Sequence, residues 1–303
     1  MLSNVGKTVK HASRWFDRFR GIVYPLAHET AMPHDITTPV SDNQDLGHGH
    51  YLLEFECPEM ADGMDPAQFF MIGIPGSETL LRRPYSVCGL PGTFDAREPG
   101  RLQVLYKVVG QGTGLLAALR PGAPIHVLGP LGHGFVAPER PDVRPVFVAG
   151  GIGSAPFPAF AARLAGHRTP PRMFYGARTA ADLPLLGWFR ERTTGCEVTT
   201  EDGSLGEQGR VTEPLRRFLA GNAADEPSSL HLYACGPEPM LRAVSRLAAE
   251  FEVTCDLSLE AHMACGFGVC LGCVVPVHAA AGGVGYDRVC LEGPVMRSER
   301  LAW

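Results

Sequence analysis

The sequence lacks three features that would each identify a broad class of protein: a long apolar run, an excess of positive charge and an even set of cysteines. No apolar run reaches the roughly 20 residues that a membrane-spanning helix needs. The net charge of −5 disfavours a nucleic-acid interface, because such interfaces need clustered lysine and arginine. The nine cysteines are an odd number, which fits a reducing compartment better than a disulfide framework. We therefore expect a cytoplasmic protein with no membrane span and no nucleic-acid partner.

A secretory signal and an acid–base catalytic group are also missing. We find no Ser/His/Asp arrangement and no paired carboxylates, so no residue is assigned as a catalytic acid or base. The first residues contain no continuous apolar stretch of the kind a secretory signal needs. Residues 1–39 are instead predicted to form a basic arm and a linker. The arm carries an approximately helical apolar stripe, and three interpretations stay open: a helix that contacts a partner or a membrane surface, a transit peptide, and a solvated extension.

Four of the nine cysteines are concentrated near the C-terminus, within a segment predicted to span 252–303. Cys265, Cys270 and Cys273 have the spacing C-x4-C-x2-C, and Cys290 follows further along the chain. Four thiolates in this pattern are typical ligands of a [2Fe–2S] cluster. The intervening glycines allow the sharp turns that aim three sulfurs at two irons. A zinc site is the less favoured interpretation, because only one pair has C-x2-C spacing; disulfides and structural cysteines are the others.

Residues 40–139 have the pattern of an antiparallel β-barrel, with short apolar or alternating runs between glycine and proline turns. The motif Arg83-Pro84-Tyr85-Ser86 offers a guanidinium for a diphosphate, a flat ring for a flavin or an adenine, and a hydroxyl. Further along, Gly112 and Thr113 precede a predicted helix at 115–119, which is a favourable position for a phosphate. An ordinary edge strand with a structural arginine is the alternative interpretation.

Residues 140–251 alternate between predicted strands and helices, which indicates a parallel sheet covered by helices on both faces. Gly150, Gly151 and Gly153 follow the first strand, in the position of a phosphate-binding turn, although they do not form the strict G-x-G-x-x-G motif. Cys235-Gly236-Pro237 follows a later strand, where a small thiol and a bare glycine leave room for a nicotinamide ring. Asp202, or the adjacent Glu201, is a candidate to bind ribose hydroxyls. Each motif has an alternative interpretation. The glycines could form only a tight turn, Cys235 could be a buried structural cysteine, and the acidic pair could form a solvated turn.

Taken in order, these motifs resemble the ferredoxin reductase superfamily. More narrowly, residues 40–300 resemble the electron-transfer subunits of the NAD-dependent, heteromeric dihydroorotate dehydrogenases. The resemblance implies a multidomain β plus α/β fold with an FAD-binding barrel at 40–139, an NAD-binding α/β domain at 140–251 and a small [2Fe–2S] domain at 252–303. The residues expected to contact the cofactors are Arg83, Pro84, Tyr85, Ser86, Leu105, Tyr106, Lys107, Gly112 and Thr113 for FAD, Gly150, Gly151, Gly153, Asp202, Cys235, Gly236 and Pro237 for NAD, and Cys265, Cys270, Cys273 and Cys290 for the cluster.

The resemblance implies an oxidoreductase subunit that passes electrons between NAD(H) and a separate catalytic flavoprotein subunit through FAD and the cluster. Nicotinamide exchanges two electrons as a hydride, a [2Fe–2S] cluster exchanges one, and flavin does both. We therefore expect a hetero-oligomer that serves pyrimidine biosynthesis. Two alternatives stay open: an NAD(P)H-linked reductase subunit serving ferredoxin, a hydrogenase or another flavoprotein, and a non-enzymatic iron–sulfur redox sensor. Residues 1–39 are longer than the family pattern, and Arg178 leaves the choice between NAD and NADP open.

Overall fold

The first half of the fold is an antiparallel barrel. The structure, a computed structural model, describes residues 33–61, 63–90, 93, 100–222 and 227–303, so the basic arm at 1–20 lies outside the described residues. The barrel strands are joined in the order β1-β2-β5-β4-β3-β6. They are β1 (His34–Gly47), β2 (His50–Glu56), β3 (Phe69–Gly73), β4 (Arg83–Gly89), β5 (Arg101–Lys107) and β6 (Pro124–Leu131), with two short helices, α1 (Pro58–Ala61) and α2 (Gln111–Ala117).

Strand β1 closes the barrel. Its first half pairs with β6, from His34 opposite Gly129 to Pro39 opposite Pro124, and its second half pairs with β2. The strand therefore begins inside the segment predicted as linker, which extended to residue 39. The difference has a physical reason: most side chains of β1 are polar and partly or fully exposed, so the strand has no apolar run that would mark it.

A seven-stranded sheet forms the second half of the fold, in the order β10-β9-β8-β7-β11-β12-β15. All neighbours pair in parallel except β12 and β15, which are antiparallel. The strands that follow the barrel are β7 (Arg144–Gly150), β8 (Arg172–Ala177), β9 (Cys196–Thr200), β10 (Glu207–Gln208), β11 (Leu230–Cys235), β12 (Thr254–Ser258), β13 (Val274–His278), β14 (Val284–Arg288) and β15 (Val295–Arg297).

Helices cover both faces of this sheet, as the strand–helix alternation predicted. The helices are α3 (Phe157–Arg163), α4 (Leu186–Arg192), α5 (Thr212–Asn222) and α6 (Glu238–Glu250). Successive side chains of a strand point to opposite faces. On β7, Val146 and Val148 pack in one core with apolar residues of α5 and α6. Phe147 and Ala149 pack in another core with aromatic residues of α3 and α4.

The C-terminal segment is anchored to both halves of the fold. Strands β12 and β15 extend the seven-stranded sheet, although they lie in the range predicted as a separate cluster domain. Strands β13 and β14 form a two-stranded hairpin. The core that contains Val146 and Val148 of β7 also contains Cys273 and Cys290, together with Met71 and Leu131 of the barrel. Apolar packing thus fixes the cysteine segment against the barrel and the sheet. No helix in the described ranges is long and apolar enough to cross a membrane.

Candidate cofactor sites

Arg83 and Gly112, which are distant in sequence, meet on the barrel surface. Arg83 begins β4, and Gly112 lies in the first turn of α2. A Cβ atom added at Gly112 would lie 2.2 Å from the Arg83 Cζ atom, so the guanidinium rests directly on bare backbone. Its Nη1 donates a hydrogen bond to the carbonyl oxygen of Leu81 at 3.0 Å. Both residues line a small cavity together with Tyr85, which brings three predicted FAD residues together.

The other FAD candidates differ in what their side chains contact. Tyr85 is half-buried, and this burial raises its pKa to about 12. Tyr106 is only 2% exposed and its hydroxyl donates to Asn43 Oδ1 at 3.0 Å, so its ring belongs to the barrel interior. The Thr113 hydroxyl accepts hydrogen bonds from two backbone N–H groups of the preceding loop at 2.9 and 3.1 Å. Pro84 and Ser86 lie on β4, and the buried Leu105 lies on β5.

Lys107, the last FAD candidate, links the barrel to the sheet. It ends β5, and its ammonium group pairs with the carboxylate of Asp182, which follows β8. Burial alone would raise the pKa of Asp182, but the hydrogen bonds from Lys107 and Thr179 outweigh it and lower the pKa. His50 lies beside this pair, and burial together with the Lys107 charge lowers the pKa of its imidazole. The ion pair therefore joins the two halves of the fold, and both of its residues line a cleft between them.

A cleft of about 540 Å³ lies at the carboxyl ends of the parallel strands. Five strands contribute residues at or just beyond these ends, and Lys107 and Val109 contribute from the barrel. Open α/β sheets bind ligands at this edge, and the volume is in the range of small-molecule sites. Gly150 and Ala177 line the cleft as the last residues of β7 and β8, and just beyond β9, β11 and β12 it is lined by Glu201, Pro237 and Glu260.

The predicted NAD glycines fall into two groups. Gly150 and Gly151 line the cleft, as does Pro237. Gly153 and Gly236 instead allow close packing beneath the cleft. A Cβ at Gly153 would lie 2.4 Å from the carbonyl oxygen of Cys235, and one at Gly236 would lie 3.0 Å from the backbone nitrogen of Gly150. The turn after β7 can therefore sit directly on the end of β11 only because both positions lack side chains.

The polar candidates of the cleft differ partly from the predicted ones. Asp202 Oδ1 accepts hydrogen bonds from the backbone N–H and hydroxyl of Ser204 at 2.9 and 2.6 Å, whereas the adjacent Glu201 lines the cleft. Arg178 and Arg210 also line the cleft. Arg210 was not predicted from the sequence. Arg210 belongs to no motif, and only its position two residues before α5 marks it as a residue near a helix start.

Cys235 and Glu260 lie near each other at the ends of β11 and β12. The Cys235 thiol is fully buried, and burial raises its pKa, with a further contribution from the charge of Glu260. Glu260 lines the cleft, where desolvation raises the pKa of its carboxyl group. Glu260 was not predicted from the sequence. Its position just after a strand, like that of Cys235-Gly236-Pro237, is the feature that could have indicated it.

The four predicted cluster cysteines lie together as two pairs. The thiols of Cys265 and Cys270 contact each other, and so do those of Cys273 and Cys290. The second pair is buried, whereas Cys270 is exposed. Four cysteines hold the two irons of a [2Fe–2S] cluster, so two thiol pairs fit this group. Within the described ranges, no three His, Cys, Asp or Glu side chains are grouped as a site for a single ion.

Backbone N–H groups are directed at the sulfur atoms. Gly268 donates to Cys290 Sγ at 3.1 Å, and Cys270 donates to Cys265 Sγ at 3.5 Å. Gly266 and Gly268 have φ values of +82° and +88°, which residues with side chains rarely adopt. Burial raises the pKa of Cys265, but the hydrogen bonds it accepts outweigh burial and lower the pKa to about 6. The effect is specific to Cys265, because burial raises the pKa of Cys290 to about 12. Backbone donors directed at sulfur nevertheless fit the surroundings of an iron–sulfur cluster.

The cysteine loop touches the strand next to the FAD motif. A Cβ at Gly266 would lie 2.4 Å from the Cγ atom of Met71. Met71 lies on β3 opposite Pro84 on β4, within the motif that begins at Arg83. The two candidate cofactor sites are therefore separated by about one strand.

Comparison with known proteins identifies the family. Residues 260–302 match the iron–sulfur cluster binding domain of dihydroorotate dehydrogenase B, and residues 147–246 match the oxidoreductase NAD-binding domain. The dihydroorotate dehydrogenase B (NAD(+)) electron transfer subunit of Desulforamulus reducens is 35% identical over 254 residues, which cover 84% of this chain and 92% of the relative. The subunit of the same name from Geobacillus kaustophilus is 37% identical over 248 residues, covering 77% and 85%. The chain belongs to the family of dihydroorotate dehydrogenase B electron transfer subunits.

Solved structures confirm the predicted fold class for this electron transfer subunit. The NADH-dependent reduced ferredoxin-NADP oxidoreductase, studied for flavin-based electron bifurcation, has a TM-score of 0.73 and 26% identity, covering 88% of this chain and 90% of that one. A ferredoxin-NADP⁺ reductase from Plasmodium falciparum shares the fold, with a TM-score of 0.58 and 15% identity, covering 70% and 90%. The subunit is an oxidoreductase component, and its cofactors are FAD, a [2Fe–2S] cluster and NAD, as predicted.

Proposed function

We propose that this chain connects NAD(H) to a separate catalytic flavoprotein subunit that oxidises dihydroorotate in pyrimidine biosynthesis. The observation that carries the proposal is the convergence of three sites: the Arg83 cavity on the barrel, the cleft at the sheet edge and the paired cysteines. The shared name of the relatives supports the choice of dihydroorotate and of a hetero-oligomer. When bound, FAD and the cluster supply the conversion between hydride and single-electron chemistry.

For FAD, we propose that Arg83 binds the diphosphate beside the bare backbone of Gly112. A planar guanidinium with several donors suits phosphate oxygens, and a side chain at position 112 would displace it. Tyr85 offers its ring to the cofactor. Tyr106, whose ring lies edge-on to Tyr85 at 6.0 Å between centroids, supports that ring from the barrel interior. The remaining members of the set complete the binding surface: Pro84, Ser86, Leu105, Lys107 and the helix-capping Thr113.

For NAD, we propose that the cleft binds the dinucleotide across the strand ends. The turn at Gly150 and Gly151, with Gly153 packed beneath it, makes room for the phosphates. Glu201 is the better-placed carboxylate for the adenosine ribose, with Asp202 holding the turn that positions it. Arg178 and Arg210 supply positive charge for the phosphates.

The nicotinamide end is proposed to lie near the end of β11. Pro237 and Glu260 line the cleft there, and the buried Cys235 and the bare Gly236 pack beneath it. Glu260 is exposed to this cleft, so its carboxyl group can hydrogen-bond the amide group of the nicotinamide. Its role in this account is to orient the nicotinamide ring.

For the cluster, we propose Cys265 and Cys270 as the ligands of the outer iron and Cys273 and Cys290 as those of the inner iron. Cys270 is the exposed member, and the neighbouring Phe267 and Val269 are also exposed. This edge is where the catalytic subunit is expected to approach, since electrons taken from dihydroorotate would enter this chain on a side of the cysteine site that a partner can reach.

We retain the predicted ranges as proposed domains: 40–139 for FAD, 140–251 for NAD and 252–303 for the cluster, with β1 extending the first of them to residue 34.

A cytoplasmic location is proposed as well. It is supported by nine cysteines that are all free thiols in the structure, which suits a reducing compartment.

The decisive experiment is reconstitution with the catalytic dihydroorotate dehydrogenase subunit of the same organism. Dihydroorotate loses two electrons and two protons to give orotate, and NAD⁺ accepts a hydride with release of a proton. We expect dihydroorotate-dependent formation of NADH only when both subunits are present. Formation of orotate and NADH by the catalytic subunit alone would contradict the proposal.

A second candidate function is favoured by one observation. The oxidoreductase that acts on reduced ferredoxin and NADP covers 88% of this chain at 26% identity. A ferredoxin- or NADP-linked reductase subunit is therefore the alternative. Measuring ferredoxin reduction with NADH and with NADPH separates the two: rapid ferredoxin turnover without any dihydroorotate activity would favour this second function.

A further inference from the structure

Arg288 and Glu292 form a clamp around Cys290. The N–H groups of Leu291 and Glu292 donate to the carbonyl oxygen of Arg288 at 3.0 and 2.9 Å, which makes Cys290 the centre of a tight turn. The Glu292 carboxylate accepts hydrogen bonds from the backbone N–H of Arg288 at 2.7 Å and from its Nε at 3.2 Å. It also contacts Nη2 of the same guanidinium. Arg288 and Glu292, the first and last residues of the turn, are therefore joined by hydrogen bonds between their side chains.

The same guanidinium reaches the opposite cysteine loop. Arg288 Nη1 donates to the carbonyl oxygen of Gly268 at 3.1 Å, while the N–H of Gly268 donates to Cys290 Sγ at 3.1 Å. The Gly268 carbonyl belongs to the peptide group whose N–H is that of Val269, and this N–H lies close enough to the Cys265 sulfur to help lower the pKa of that thiol. One guanidinium is thus linked, through two successive peptide groups, to a sulfur of each thiol pair.

The absence of a side chain at position 268 is needed for this arrangement. A Cβ there would lie 3.4 Å from Arg288 Nη1 and 3.1 Å from Leu291 Cδ2, and the backbone has a φ of +88°. Glycine is therefore favoured at this position by its backbone conformation, and a side chain here would also press on Leu291. Both charged side chains are 31% exposed, so solvent shields their charges only in part.

We infer that Arg288 and Glu292 are positioning residues that set the reduction potential of the cluster. Hydrogen bonds to the sulfurs and the local net charge are the main protein contributions to such a potential. The guanidinium polarises the peptide group between Gly268 and Val269 through its carbonyl oxygen, and its positive charge would stabilise the more negative reduced cluster. The carboxylate holds the guanidinium in place and offsets its charge. The inference rests on the proposed assignment of the four cysteines to the cluster.

The test is an anaerobic redox titration of the intact complex, with the reduced cluster followed by electron paramagnetic resonance. Arg288→Gln is expected to lower the potential by an amount that corresponds to about a tenfold change in the one-electron equilibrium, ~59 mV. Glu292→Gln is expected to raise the potential, because the guanidinium keeps its charge and loses the offsetting carboxylate. Arg288→Lys keeps the charge without the fork, so its potential should fall between those of Arg288→Gln and the wild type.

The matched control is Arg216→Gln, which breaks an exposed arginine–glutamate pair with Glu250 between α5 and α6 and should leave the potential unchanged. Unchanged potentials in Arg288→Gln and Glu292→Gln, with iron retained, would overturn the inference. Shifts of the same sign in both variants would overturn it too, because only a structural role predicts them. If Arg288→Gln loses iron, the potentials of Arg288→Lys and Glu292→Gln test the inference in its place: unchanged potentials in both would overturn it. A wild-type protein that binds no iron would instead refute the cysteine assignment in the proposed function.

Discussion

Substitution of Gly112 by alanine tests the proposed FAD site, because it adds a single methyl group beside Arg83. Gly112→Ala would place a Cβ 2.2 Å from Arg83 Cζ, and the guanidinium must move away from the position proposed for the diphosphate. We expect FAD affinity to fall by at least about tenfold, ~1.4 kcal/mol. Fluorescence titration of the FAD-depleted protein with FAD measures this change.

The matched control for this substitution is Gly114→Ala in the same helix. No atom lies within 4 Å of a Cβ added at Gly114, so this variant should bind FAD like the wild type. It should also gain roughly 0.5–1 kcal/mol of helix stability. Equal FAD affinities for the two alanine variants would show that Arg83 does not contact the diphosphate.

Single residues also show the limit of prediction from sequence. Arg83 lines the barrel cavity, and Gly150 and Gly151 line the cleft, because residue types such as these are tied to a local conformation; their roles in binding stay a prediction. The motifs did not separate Glu201 from Asp202. Which of two adjacent acidic residues faces a cleft depends on the turn, and here the turn is fixed by hydrogen bonds from Ser204 to Asp202.

Among the secondary-structure elements, the contact between the turn after β7 and the end of β11 is the most constrained. Gly153→Ala would place a Cβ 2.4 Å from the Cys235 carbonyl oxygen and 2.6 Å from the Gly236 Cα atom. Both neighbours are backbone atoms that cannot rotate away. Overpacking of this kind costs about 1–3 kcal/mol, so we expect a lower free energy of unfolding and a higher KM for NADH. Chemical denaturation and steady-state kinetics measure the two effects.

Gly187→Ala is the control for the element-scale prediction. Gly187 lies within α4, and nothing lies within 4 Å of its added Cβ, so this variant should be about as stable as the wild type or more stable by up to ~1 kcal/mol. A Gly153→Ala protein with wild-type stability and wild-type KM would contradict the packing described for this turn.

Elements with strong patterns were predictable, and elements with weak ones were not. The buried strands β7, β8 and β11 are mostly apolar, and they lie in the segment predicted to alternate between strands and helices. Strand β1 lacks an apolar run, because much of its surface faces solvent. Strand β15 has only three residues, and its pairing with β12 is a long-range contact that no local pattern encodes.

At the scale of the whole molecule, the order of the modules was predictable but their contacts were not. The spacing of the cysteines indicated a cluster, yet it carried no information about where the cluster loop would rest. The structure packs Gly266 against Met71 of the barrel and pairs Lys107 with Asp182 across the two halves. Both contacts depend on the complete fold, because each joins residues from different modules.

The central claim is that one chain joins an NAD cleft, an FAD site and a four-cysteine cluster. Its most direct test is anaerobic titration with NADH of the wild type, Cys270→Ser and the control Cys196→Ser, with flavin absorbance and the spectrum of the reduced cluster recorded together. We predict about two irons per chain and reduction of both centres in the wild type and the control, but of flavin alone in Cys270→Ser. A wild-type protein that holds zinc without iron, or loss of flavin reduction in Cys270→Ser, would contradict the claim.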